Sequence, residues 1–101
     1  MERGGYIYIL TNKNNSTLYI GVTSSLSSRI YEHKNNVYPT SFTARFNLHK
    51  LIYFETYEGI EEAIIREKQL KRWHREWKLN LIKSINPTFV DLYDQIKEDF
   101  T

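Results

Sequence analysis

The sequence predicts an α+β fold, a small antiparallel or mixed sheet with helices packed on it, in the order β-β-α-β-α-α. Three observations carry this. Residues 6–11 and 17–22 are two β-rich runs flanking a polar turn, and Lys50–Tyr57 is a third such run. From Ile60 onward the apolar residues recur at helical rather than alternating spacing. At 101 residues, the chain suits one domain, with its core over about residues 4–90 and an acidic tail at 91–101.

The first two strands enclose Asn12-Lys13-Asn14-Asn15-Ser16, which reads as a hairpin turn. If Thr11 pairs with Ser16, Tyr8 lies opposite Tyr19 and Tyr6 opposite Gly21. The phenols then share one face, and Ile7, Ile9, Leu18 and Ile20 share the other. Gly21 would leave space beside the tyrosines for a substrate backbone. Thr23-Ser24-Ser25 offers N-caps for a helix running to about Asn36, with Leu26, Ile30 and Val37 as its inner stripe. Residues 37–49, with Pro39, read as a loop containing a short turn at Ser41–Phe46. After the third strand, Glu58-Gly59 precedes a helix over Ile60–Trp73. A further helix over Arg75–Ser84 ends at Asn86-Pro87.

Composition narrows the function. The chain is 41% hydrophobic and 26% charged, with few Gly and Pro, which excludes a wholly disordered protein. It has no cysteine, so thiolate nucleophiles, disulfides and cysteine zinc sites are excluded. Met1-Glu2-Arg3-Gly4-Gly5 lacks a signal-peptide pattern, and no apolar run approaches the roughly 20 residues that span a bilayer. The expectation is a cytoplasmic protein with no membrane partner. The net charge of +2 is small but uneven: Asp91, Asp94, Glu98 and Asp99 stand against Lys97 alone in the tail. Six bases between Arg66 and Lys78 meet only two acids, a stretch that either follows a phosphate backbone or forms a solvated helix face.

Glu67 is the strongest physical anomaly. Its neighbours on the helical wheel are Ile60, Ala63, Ile64 and Leu70, so a carboxylate occupies the packing face. Either a divalent cation such as Mg²⁺ or a salt bridge to Arg29 or another base would satisfy it. Arg29 and His33 are four apart and share a helix side. Arg29 suits a phosphate clamp, and His33 a proton relay near neutral pH. Tyr8 and Tyr19 are candidates to orient or deprotonate a water, a role that needs a nearby cation or base to lower the phenol pKa. Trp73 and Trp77 read as a packed aromatic pair.

In order, these residues (Tyr8, Tyr19-Ile20-Gly21, Arg29, His33 and Glu67) resemble the GIY-YIG nuclease superfamily. The segment Arg66–Trp73, with Lys78, Leu81-Ile82 and Asn86-Pro87, is similar to small stand-alone bacterial proteins related to the nuclease domain of the excision-repair subunit UvrC. The resemblance implies a three-stranded antiparallel sheet flanked by helices, and one Mg²⁺ or Mn²⁺ near Glu67. It also implies hydrolysis of a phosphodiester in DNA, or in RNA, by an attacking water. Tyr8, Tyr19, Arg29, His33 and Glu67 correspond to its catalytic set, and Glu67 to its metal ligand. Gly21, Lys71, Arg72 and Asn86 are the substrate-binding candidates. For the family's asparagine, Asn80 and Asn86 both qualify, and Asn86 is favoured by its neighbour Pro87. Tyr6 replaces the glycine of the first motif. A non-catalytic nucleic-acid-binding module is the alternative, and an interaction domain using the acidic tail is a third.

Overall fold

The computed structural model describes residues 4–97. Its elements are β1 (Gly5–Thr11), β2 (Leu18–Thr23), α1 (Leu26–Lys34), α2 (Phe42–Arg45), β3 (Lys50–Tyr57), α3 (Ile60–Arg72), α4 (Arg75–Ile85) and α5 (Tyr93–Ile96). The three strands form one antiparallel sheet in the order β2-β1-β3, so the tyrosine-bearing β1 is central. This is the α+β architecture expected.

The sheet separates two apolar layers. On one side Ile7, Ile9 and Ile20 pack with Ala63 and Leu70 of α3 and Ile82 of α4. On the other, Tyr8 and Leu10 pack with Leu26 and Ile30 of α1 and Leu92 and Ile96 around α5. The alternation of β1 thus divides isoleucines from tyrosines, as period-2 patterning requires.

The hairpin register differs from expectation. Thr11 faces Leu18, not Ser16, which places Tyr8 opposite Gly21 and Tyr19 opposite Leu10. The turn is wider because Asn12 organises it. Its Oδ1 accepts from the Ser16 amide at 2.8 Å and the Thr17 amide at 3.3 Å, while Thr11 Oγ1 donates to the Thr17 carbonyl at 2.7 Å. Asn15 takes the left-handed turn position at φ 60°. The shift is by two residues, so each side chain keeps its predicted face.

Two other boundaries moved. Helix α1 ends at Lys34, with Asn36 at φ 50° beyond it, so Val37 leaves the inner stripe and is 47% exposed. The segment from Asp91 is not a detached tail where the structure describes it. Leu92 and Ile96 are buried in the tyrosine layer, and the Leu92 amide donates to the Leu51 carbonyl at 2.7 Å. Asp91 accepts from the Leu51 amide at 3.2 Å and pairs with Lys34. Glu98 and Asp99, like the first three residues, lie outside the described residues. Among the described residues, no helix is long and apolar enough to cross a membrane.

Candidate active site

The tyrosine face assembles four of the expected residues. Helix α1 buries Leu26 and Ile30 against the sheet, and that pitch brings the flanking Arg29 and His33 to the phenols. Tyr8 Oη lies 2.9 Å from His33 Nε2. The Tyr8 and Tyr19 rings are 6.3 Å apart, and Tyr19 stands 5.9 Å from the His33 ring, edge-on. Gly21 is what admits the Tyr8 ring. A Cβ there would fall 2.4 Å from both Tyr8 Cζ and Oη. The space expected to receive substrate backbone is therefore filled by Tyr8 itself.

His33 is buried and bonded through both ring nitrogens. Nδ1 lies 2.9 Å from Thr43 Oγ1, and Thr43 in turn meets Ser41 Oγ at 3.2 Å. Ser41 caps α2 by accepting from the Ala44 amide at 3.2 Å. Burial first, and then the positive Arg29, push the His33 pKa down to about 4. The ring is therefore neutral at pH 7, one nitrogen donating and the other accepting. Burial, reinforced by Tyr19, raises the Tyr8 phenol above its ordinary value against the opposing pull of Arg29. With Tyr8 protonated, one proton order satisfies every group. Tyr8 donates to Nε2, Nδ1–H donates to Thr43, and Thr43 donates to Ser41.

Arg29 forms the wall of the adjoining cleft. Its Nη1 donates to Glu32 Oε1 at 2.9 Å, and its guanidinium lies 5.6 Å from the Tyr38 ring centroid. Burial opposes its charge, but Glu32 and Tyr8 together outweigh this, and its pKa is raised. The cleft, about 360 Å³, is lined by Arg29, Glu32, His33, Tyr38 and Thr43 among others.

Glu67 lies on α3, whose buried residues pack in the isoleucine layer on the other side of the sheet. It is 8% exposed, between Ala63 and Leu70 on the buried stripe of α3. Its ion-pair partner is Lys71 one turn on, at 2.5 Å, rather than Arg29, which is engaged with Glu32. Among the described residues, no group of three or more potential protein ligands surrounds a metal position. Glu67 fits a hard divalent ion as a single carboxylate completed by water and phosphate, since its counter-charge is an exposed, displaceable lysine.

The remaining candidates divide. Arg72 and Asn80 are exposed on the α3–α4 surface. Asn86 is 3% exposed, and its amide is fully used within the chain. Nδ2 donates to the Ile52 and Val90 carbonyls at 3.0 and 2.9 Å, and Oδ1 accepts from the Val90 amide at 3.1 Å. That latch closes the turn in which Phe89 sits at φ 55°. The asparagine next to Pro87 therefore ties α4 to β3 rather than pointing to a ligand. The basic stretch is also partly committed. Arg66 holds Glu55 through two hydrogen bonds of 2.9 and 3.0 Å, and Arg75 donates to the Ser16 carbonyl at 3.0 Å. Tyr53 and Tyr57 donate to the same Glu55 at 2.5 Å each, so two of the many tyrosines serve a strand-to-helix clamp.

Thr43, Ser41 and Glu32 belong to this site and were not anticipated. Glu32 was legible, since an acid three residues after Arg29 on a helix makes an ion pair. The Ser41-to-Ala44 cap was visible as a turn, but no local pattern says that Thr43 reaches His33.

Residues 4–80 match the family model described as the GIY-YIG catalytic domain. A UPF0213 protein of Clostridium perfringens is 43% identical over 79 residues, 78% of this chain and 83% of the relative. Another, from Syntrophus aciditrophicus, is 35% identical over 82 residues, 81% of this chain and 92% of the relative. The solution NMR structure of a UPF0213 protein from Bacillus halodurans superimposes with a TM-score of 0.55 at 24% identity. It covers 87% of this chain and 92% of that one, and shares the fold.

Proposed function

This chain belongs to the GIY-YIG family, and on that premise we propose that it is a metal-dependent endonuclease hydrolysing a phosphodiester in DNA. The observation that carries the reading is the buried Tyr8–His33–Thr43 relay beside Arg29. Arg29 exchanges one hydrogen bond to Glu32 for a phosphate oxygen and offsets charge that grows in the transition state. Buried Tyr8 stays protonated and, with Thr43, fixes the His33 ring beside the attacking water. Tyr19, partly exposed beside His33, orients the water. Glu67 would hold Mg²⁺ or Mn²⁺, which when bound supplies Lewis-acid stabilisation of the phosphate.

The test is strand nicking of DNA in several structural forms, and of RNA, with Mg²⁺ or Mn²⁺. Wild type should cleave and Glu67→Ala should not. No cleavage of any substrate by wild type would defeat the enzyme reading. One observation favours a second reading, a binding module without turnover: Glu67 is already neutralised by Lys71. That reading requires salt-dependent nucleic-acid binding that Glu67→Ala and metal leave unchanged.

A further inference from the structure

We propose that Phe42 and Phe46, with Arg45, form a stacking platform for unpaired nucleobases beside the scissile phosphate, so that the site takes single-stranded or frayed nucleic acid over intact duplex. The proposal rests on the nuclease reading above and names its substrate form. Three aromatic rings form a continuous ladder leading out of the candidate site. Tyr19 stacks on Phe42 with centroids 6.2 Å apart and planes 29° from parallel, and Phe42 meets Phe46 at 4.7 Å. The inner end is Tyr19, which also touches His33 and Tyr8. At the outer end the Arg45 guanidinium lies 5.9 Å from the Phe46 centroid.

The ladder is exposed where a folding argument would bury it. Phe42 is 44% exposed and Phe46 47%, although the tyrosine-layer core is only a few residues away. Single exposed apolar residues need no explanation, but contiguous exposed rings that lead through Tyr19 to His33 do. A ring face and a guanidinium together suit a nucleobase and its phosphate, since every base offers a π-face and stacking tolerates sequence. In an intact duplex those faces are covered by neighbouring bases, so only an unpaired or displaced base can use the platform. Helix α2 strengthens the assignment. It carries Phe42, and it also carries Thr43, which orients His33. A base resting on Phe42 therefore loads the same four-residue helix that holds the relay.

The experiment compares a short fluorescent single strand with its blunt duplex, using wild type, Phe42→Leu, Phe46→Leu and the corresponding Tyr variants. Leucine keeps apolar bulk and removes the ring. Each Leu variant should weaken single-strand binding by about tenfold and leave duplex binding within about twofold, while Tyr variants hold the wild-type affinity. A 2-aminopurine beside the cleaved bond should be quenched by wild type and not by the Leu variants. Equal losses on both substrates, no loss, or unchanged quenching overturns the platform. If Phe42→Leu fails to fold, Phe46→Leu decides alone, because its ring lies at the outer end. A wild-type dimer in sedimentation that dissociates in Phe46→Leu assigns the face to a second copy and likewise overturns the proposal. Wild type that neither binds nor cleaves any nucleic acid defeats the parent reading. Wild type that cleaves both forms, with Leu variants indistinguishable, defeats only the platform.

Discussion

Tyr8 Oη and His33 Nε2 meet at 2.9 Å inside the molecule, joining the central strand to the far end of the first helix across 25 residues of sequence. Tyr8 is 1% exposed and His33 7%, so this hydrogen bond is sheltered from bulk water. Its protonation state therefore has consequences for stability and, under the proposed mechanism, for activity.

The histidine should make folding pH-dependent in an identifiable window. Its folded pKa of about 4 lies below the ordinary 6.5, so the unfolded chain binds the proton more readily. The stabilisation is present above pH 6.5 and is lost as pH falls from 6.5 towards 4, by about 3 kcal/mol at most. Urea midpoints measured from pH 7.5 to 4.5 should fall for wild type. In His33→Gln, that part of the slope should disappear.

Thr43→Val keeps shape but removes the partner of His33 Nδ1. Leaving a buried donor unpaired should cost about 1–3 kcal/mol, while Thr43→Ser retains most of it. Under the proposed mechanism kcat should drop about tenfold or more in the Val variant, with KM little changed. Ring ¹⁵N shifts of His33 report whether the tautomer has altered.

Gly21→Ala should be costly despite adding only a methyl. The new Cβ would lie 2.4 Å from the Tyr8 ring, whose core position leaves little room to yield. A loss of about 1–3 kcal/mol is expected. Chemical denaturation of Gly21→Ala, Tyr8→Leu and the double variant would check this. The two changes should be strongly non-additive, because Tyr8→Leu removes the clash.

Asn86→Ala should lower stability by about 2 kcal/mol or more, since it leaves the buried Ile52 carbonyl and the Val90 amide and carbonyl without their partner. Nucleic-acid affinity per folded molecule should be unchanged. A selective loss of affinity at full stability would restore a ligand role.

Lys71 competes for the carboxylate that a metal would use. Mn²⁺ should raise the Tm of wild type and raise it further in Lys71→Met. Glu67→Gln should abolish the response. Thermal melts across a Mn²⁺ titration are sufficient.

Much of this was legible in the chain, and what was not has a local cause. The division of Tyr8 and Tyr19 from Ile7, Ile9 and Ile20 follows from strand periodicity and survives a two-residue register error. Arg29 and His33 share a helix side by pitch alone. The buried setting of Glu67 was set by its neighbours on the wheel. What failed depended on side-chain hydrogen bonds rather than on period. The Asn12 turn set the register, and the Asn86 latch used an amide that looked available. The Thr43 contact came from a loop whose course no periodicity constrains. The docking of Leu92 and Ile96 was hidden by the acids around them, which drew attention to charge and away from the apolar pair.

The relay joins two parts of very unequal resistance to local opening. Tyr8 sits on the strand hydrogen-bonded on both edges, and its amide should be among the slowest to exchange. Thr43 sits on a four-residue helix closed by the Ser41 cap and a few backbone hydrogen bonds, and the rings of Phe42 and Phe46 on that turn are half exposed. A transient unwinding of that single turn would disconnect His33 while the sheet stayed intact. Under the proposed nuclease reading, warming should then silence cleavage before global melting begins, and the short helix would act as the molecule's thermal fuse.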